Sequence, residues 1–251
     1  IVCDDADLEH AVEQAMLGVY TACGQMCVGA ERIYVFDQVY DAFVARVTER
    51  VRSLRQGRPT PVGDASDASV DVGAMTMPRQ LDILDELVAD AREKGARVVV
   101  GGDRNREAGP QFFQPTVIVD VDHSMRIARE EQFGPVMVIM RVRDEAEAVR
   151  LANDCAYGLG SSVFTRDPVR AERISRQIRA GVASMVLDCE TGPVRLGPVA
   201  EHARKQRFSV SCSFHSPVYL VVYSMTEAGN LMPARVTWNQ TSPVMGWRIG
   251  W

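Results

Sequence analysis

The sequence predicts an α/β fold with a largely parallel sheet and flanking helices, followed by an irregular or divergent C-terminal tail. Across residues 1–185, short β-branched and apolar runs alternate with amphipathic stretches of about 10–18 residues, as strand–helix–strand units require. The chain has 251 residues, 46% hydrophobic and 24% charged, which is enough to build a real core in one large domain or two small ones. Near Val186 the pattern breaks, and helical periodicity weakens from there to Trp251. The expected organisation is therefore an α/β domain over 1–185 and a divergent, poorly ordered tail over 186–251.

The elements can be justified in order. Asp5 and Asp7 offer caps for a first helix through about Ala22, with Leu8, Val12, Ala15, Met16 and Val19 on its apolar side. A glycine-bounded turn from Gly24 to Gly29 and a short strand from Arg32 to Phe36 follow. Between about 37 and 55, the residues Tyr40, Phe43, Val44, Val47, Val51 and Leu54 recur at helical spacing. Residues 56–77 are rich in Gly, Pro, Asp and Ser and read as a surface loop. Pro78 suits the first turn of a helix that buries Leu84, Leu87, Val88 and Ala91 and stops at Gly95.

Val98 to Val100 reads as a short buried strand, Thr116 to Val119 as another, and Val136 to Val142 as a third. Asp144 caps a helix through about Asn153, and Ser161 to Phe164 is a strand. Asp167 and Pro168 open a helix to about Ile178, Gly181 stops it, and Val182 to Met185 begins one more strand. In the tail, only Val218 to Tyr223 reads as a strand.

Composition excludes several classes. The formal charge is −5, and only Lys94 and Lys205 among the 28 basic residues are lysines. The arginines are scattered rather than clustered, which argues against nucleic acid as a partner. No stretch approaches the roughly 18 consecutive apolar residues of a membrane helix. Six cysteines are too few and too irregular for a disulfide framework, so reduced thiols and an intracellular compartment are expected. The chain begins with Ile and shows no leader, so the true N-terminus is expected to lie outside it and targeting is unreadable.

The chemistry concentrates in Gly24-Gln25-Met26-Cys27-Val28-Gly29-Ala30-Glu31-Arg32. A cysteine just after a helix-to-loop break, beside glycines, can expose its sulfur and leave its own N–H free for an oxyanion. The residues alone leave a buried core cysteine equally open. Cys23, four residues earlier, reads as a packing residue, because a metal site needs about four ligands and the spacing is not that of a redox pair. No metal is expected.

This stretch resembles the catalytic-cysteine motif of the aldehyde dehydrogenase superfamily. Arg129-Glu130-Glu131-Gln132-Phe133-Gly134-Pro135-Val136 is similar to that family's Glu-Glu-x-Phe-Gly-Pro-Val segment. Leu151-Ala152-Asn153 through Tyr157-Gly158-Leu159 to Val163-Phe164 is similar to a third family block. The opening from Ile1 to Leu8 fits the segment before the cysteine helix. Within the superfamily, the run from Ile1 to Val35 is most similar to the plant and protist branch called aldehyde dehydrogenase family 22.

The resemblance implies roles. Cys27 would be the nucleophile that forms a thiohemiacetal and then a thioester, and its backbone N–H would be half of the oxyanion hole. Glu131 would accept hydrogen bonds from the hydroxyls of the nicotinamide ribose, and Phe133 would pack near the nicotinamide. The cofactor would be NAD or NADP and the partner a small-molecule aldehyde, in a family whose members are homo-oligomeric. From the residues alone, the acidic pair Glu130 and Glu131 reads rather as a solvated pair on a loop, and Phe133 as ordinary core. Gln25, Arg32, Gly134 and Pro135 read as structural, and His10 and His123 as surface histidines.

The family's general-base glutamate, its second oxyanion donor and its nucleotide-binding domain have no counterpart in these residues. After Met185, the family's Asn-Asp and Pro-Phe-Gly-Gly-x-Lys-x-Ser-Gly blocks and its oligomerising arm are missing too. A frameshift, retained intron or wrong exon junction would produce such a loss. This chain alone is therefore expected to show little activity. A non-catalytic remnant or interaction module that keeps the fold is one alternative, and a cysteine hydrolase with a histidine base is a weaker one.

Overall fold

The computed structural model describes residues 1–58, 70–188, 207–213, 219–225 and 231–234. The chain forms two compact units, one of Ala11–Asp144 and one of Ile1–His10 with Glu145–Trp251.

The first unit is built on a four-stranded sheet of β1 (Ile33–Phe36), β2 (Arg97–Val100), β3 (Thr116–Val119) and β4 (Val136–Val142), in the order β1-β4-β3-β2. β1 and β3 both pair parallel to β4, while β2 runs antiparallel to β3. Val136 to Met140 are all buried, as expected of an interior parallel strand covered on both faces. Among the described residues β2 pairs on one side only, with β3, and Val98 to Val100 are half-buried rather than buried as the sequence suggested. An apolar run cannot by itself reveal that it lies at an edge.

α2 (Asp37–Arg52) packs on this sheet and buries Tyr40, Phe43, Val47 and Val51. It ends before Leu54, because the Ser53 and Leu54 N–H groups close back three residues onto Arg50 and Val51. α3 (Pro78–Glu93) starts on its proline, buries Leu81, Leu84, Leu87, Val88 and Ala91, and stops before Gly95 at φ +99. The Leu84 side chain lies where a Cβ on Gly134 would meet its Cδ1 at 2.7 Å. Leu84→Ala should cost about 2–5 kcal/mol in a urea titration of the chain, since Leu84 is fully buried. A loss under about 1 kcal/mol would contradict this packing.

α1 (Leu8–Tyr20) is capped by Asp7, whose Oδ1 accepts the His10 N–H at 3.0 Å. Asp5 does not cap it; its carboxylate accepts the Thr165 hydroxyl at 2.7 Å and the Arg166 N–H at 3.1 Å. The helix ends at Tyr20, two residues earlier than expected, because Ala22 and Cys23 turn to φ 52° and 61°. Of the loop expected over 56–77, residues 59–69 lie outside the described residues. Val72 and Met75, within the described part, are fully buried and belong to the core rather than the surface.

The second unit holds a five-stranded sheet, β5 (Gly160–Phe164), β6 (Val182–Asp188), β7 (Arg207–Ser213), β8 (Tyr219–Met225) and β9 (Leu231–Ala234), in that order. The first three are parallel and the last two antiparallel. α4 (Glu145–Asn153) follows Asp144, and α5 (Pro168–Ser175) is capped by Asp167, whose Oδ1 accepts the Val169 N–H at 2.9 Å. α5 ends at Ser175, before the expected Ile178. Arg170 joins Asp4 at 2.6 Å, Asp5 at 3.0 Å and Glu145 at 2.8 Å. The strand expected from Val218 to Tyr223 is β8. β7, β8 and β9 are the described residues within the stretch read as a divergent tail past β6, and positions 185 and 186 fall inside β6. Among the described residues, no helix is long and apolar enough to cross a membrane.

Candidate active site

Cys27 lies on the loop between α1 and β1, and the end of α1 is pinned first. The Tyr20 hydroxyl, buried, donates to the Thr116 carbonyl of β3 at 2.7 Å. The chain then turns sharply through Ala22, Cys23 and Gly24, all at positive φ. Gln25 holds the next step: its Nε2 donates to the Ala22 and Ala74 carbonyls at 3.0 and 3.2 Å, and its Oε1 accepts the Thr76 N–H at 2.7 Å. The Gly29 N–H closes onto the Met26 carbonyl at 2.9 Å, so Cys27 and Val28 form the tip of a tight turn. Ala30 N–H then returns to the Gly18 carbonyl at 2.9 Å.

The outcome is an exposed, free Cys27 between exposed Met26 and Val28. Its backbone N–H has no hydrogen-bond partner among the described residues. Cys23 is the opposite case. It is buried, its Sγ lies 3.6 Å from the Met75 Sδ, and burial pushes its thiol up to about 12. It packs as expected, though in a left-handed turn rather than a helix.

The segment carrying Glu131 and Phe133 is fixed from several sides. Arg126 pairs with Glu130 at 2.7 Å, so this acid is taken by an arginine rather than simply solvated. Gln132 is buried, and its Nε2 donates to the Ile127 carbonyl at 2.6 Å. Gln80 of α3 donates its Nε2 to the Gln132 carbonyl at 2.6 Å. Phe133 is half-buried at φ 46°, a conformation that costs a bulky residue about 1–3 kcal/mol. Glu131 is exposed, and no hydrogen bond or ion pair takes its carboxylate among the described residues.

The two segments meet at two places. Gly24 lies so close to the Gly134 carbonyl that a Cβ on Gly24 would overlap it. Glu31, four residues after Cys27, spans the other contact. Its Oε2 accepts the Gln132 N–H at 2.9 Å and its Oε1 the Phe133 N–H at 3.2 Å. Burial pushes the Glu31 carboxyl up to about 7, although the two N–H donors and Arg32 pull the other way and Glu131 adds to the rise.

The sequence-predicted Cys27, Glu131 and Phe133 are therefore on one pair of joined segments. Sequence reasoning missed Glu31 and the Gly24–Gly134 approach. The available signal was a lone acid between the glycine-bounded cysteine turn and a buried strand. The surface reading of the histidines is corrected. His123 is half-buried with Nε2 3.1 Å from the Tyr34 hydroxyl, and the His10 Nε2 is buried without a hydrogen-bond partner among the described residues. Among the described residues, no group of three His, Cys, Asp or Glu could hold a metal ion.

Comparison with known proteins matches residues 1–192 to the model of the aldehyde dehydrogenase family. The succinate-semialdehyde dehydrogenase (NADP+) GabD of Escherichia coli is 40% identical over 185 residues, which are 74% of this chain and 37% of that protein. A betaine aldehyde dehydrogenase of Cereibacter sphaeroides is 40% identical over 181 residues, 72% of this chain and 36% of that one. Among solved structures, betaine aldehyde dehydrogenase from Staphylococcus aureus in complex with NAD+ is similar, with a TM-score of 0.67 and 35% identity over 73% of this chain and 36% of that chain. The chain thus spans little more than a third of the length of the curated relatives it matches. On the family match over residues 1–192, and with relatives 35–40% identical, the chain belongs to the aldehyde dehydrogenase family.

Proposed function

We propose that the protein carrying this chain oxidises an aldehyde to a carboxylate with NAD or NADP, through a covalent adduct on Cys27. The carrying observation is the joining of the exposed Cys27 turn to the Glu131–Phe133 segment. In this reading, residues 1–185 are the catalytic-domain portion and 186–251 a divergent continuation. The finer placement in the family 22 branch rests on the run from Ile1 to Val35 alone.

The Cys27 thiolate attacks the carbonyl carbon, a C–S bond forms, and the π electrons move to oxygen. The unpartnered Cys27 N–H lies one residue's backbone from that sulfur and supplies a donor for the oxyanion. A nicotinamide cofactor, when bound, would supply the acceptor for the hydride of that carbon. The residues present fit such a group. Glu131 offers an open, acceptor-only carboxylate, able to take two hydroxyl donors of a ribose. Phe133 beside it offers an apolar face, and the bonds to Gln132 and Phe133 hold both in place. Exposed Met26 and Val28 flank the sulfur and offer apolar surface to the aldehyde's carbon chain.

The test is oxidation of an aldehyde panel by the product of the complete reading frame, followed through the reduced cofactor's absorbance. The panel includes succinate semialdehyde and betaine aldehyde, the substrates named for the relatives. Turnover should occur, and residues 1–251 alone should be slower by about a hundredfold or more, because the family's general-base glutamate segment has no counterpart in this sequence. Absence of oxidation with every aldehyde would overturn the reading. Turnover at ordinary rates by residues 1–251 would overturn the second expectation.

A further inference from the structure

The geometry points to Glu31 as a positioning residue that ties the segment bearing Glu131 and Phe133 to the loop bearing Cys27. Two separate backbone N–H groups, of Gln132 and Phe133, end on the two oxygens of this one carboxylate, at 2.9 and 3.2 Å. Those two amides lie directly after Glu131 and at Phe133 itself. The carboxylate stands at the start of β1, at the exit of the turn whose tip is Cys27. One side chain therefore sets the offset between the nucleophile and both proposed cofactor contacts.

The rest of the segment shows why a tie is needed. Phe133 sits at φ 46°, which a bulky side chain leaves unless its surroundings hold it. Gln80 secures the Gln132 carbonyl and Gln132 secures itself to Ile127, but neither reaches the Phe133 amide. Only Glu31 is seen to bond that amide among the described residues. The Gly24–Gly134 approach fixes how closely the segments come, and Glu31 fixes their register.

A carboxyl titrating near 7 makes this tie responsive to ordinary pH. When ionised, both oxygens accept. When protonated, one oxygen becomes a donor and one amide loses its acceptor. The charged groups facing it are Glu131 on the held segment, which raises its affinity for a proton, and Arg32 next to it in the chain just before β1, which lowers it. The stability of the whole fold carries the opposite sign, because burial outweighs the two hydrogen bonds in setting the shift. An unfolded chain loses this proton near 4.5, so the folded chain holds an extra proton between about 4.5 and 7, and stability falls as pH rises across that window.

The consequence for cofactor placement rests on the function proposed above, but the tie can be tested without it. The measurement is hydrogen exchange of the Gln132 and Phe133 amides in the chain, corrected for intrinsic rates, from pH 5.5 to 8.5. Protection should drop by about tenfold as pH falls through about 7, the effect of losing one charge-assisted bond. Glu31→Gln should show the lower protection at every pH with no step. Glu31→Asp, still ionisable but one methylene shorter, should keep a step with weaker protection. Protection in E31Q equal to that of the unsubstituted chain would overturn the proposal. If E31Q also loses protection in β4 and has therefore misfolded, the unsubstituted chain decides: a step near pH 7 supports the tie and its absence overturns it.

In the product of the complete reading frame, E31Q should raise the KM for the nicotinamide cofactor about tenfold, with a much smaller change in kcat. An unchanged cofactor KM would overturn the positioning role. If that product oxidises no aldehyde and binds neither cofactor, the function proposal fails, while the exchange profile still decides the tie.

Discussion

Cys27→Ala abolishes the fast alkylation of this chain by iodoacetamide. In the unsubstituted chain at about pH 8, the first adduct should map to Cys27, which is exposed at the tip of its turn. Cys3 and Cys23 should lag by about a hundredfold or more. Both are buried, and burial pushes each thiol up to about 12, which leaves about one molecule in ten thousand as thiolate at that pH. Cys155, half-exposed, gives its S–H to the Tyr157 carbonyl at 3.3 Å and should react more slowly than Cys27. Peptide mapping of a time course decides the matter. A fast adduct that survives Cys27→Ala would show that another sulfur is the accessible one. In the product of the complete reading frame, the same substitution should lower aldehyde oxidation by about a thousandfold or more, since removing a nucleophile removes the covalent route outright.

Gly24→Ala should destabilise the chain by about 3–5 kcal/mol. Two effects add. Gly24 has φ +72°, where an L side chain costs about 1–2 kcal/mol. Its new Cβ would also overlap the Gly134 carbonyl, and the Val19 carbonyl lies 3.0 Å away. Those obstacles are backbone, not the yielding end of a long side chain, so one of the two segments must move. Urea unfolding gives the stability, and the Cys27 alkylation rate reports the loop. A loss below about 1 kcal/mol with unchanged alkylation would show that the two segments do not approach as closely as described.

Much of this was legible in the residues because it depends on local pattern. Tyr40, Phe43, Val47 and Val51 recur at the helical period, so α2 follows from spacing, and its buried face matches. Pro78 and Gly95 bracket α3 because each backbone suits one end of a helix. Misreadings came where local pattern is silent. Val98 to Val100 have the composition of an interior strand, yet among the described residues β2 has a neighbour on one side only. Val72 and Met75 lie in polar, glycine-rich surroundings, yet fill the core. Asp5 has the chemistry of a helix cap, but the hydroxyl of Thr165, 160 residues away, takes its carboxylate.

The sequence by itself determined the family, the alternation of strands and helices, and the identity of Cys27, Glu131 and Phe133 as candidates. Those conclusions need only the order of side chains along one dimension. Tertiary structure decided which of Cys23 and Cys27 reaches solvent, because Cys23 is buried inside a left-handed turn while Cys27 sits exposed at the tip of the next turn. It also decided what Glu31 does. An acid 101 residues from its hydrogen-bonded partner Gln132 has no signature in spacing. Its role exists only once β1 and β4 pair side by side and bring the loops at their ends together, so that burial and two backbone donors act on one carboxylate.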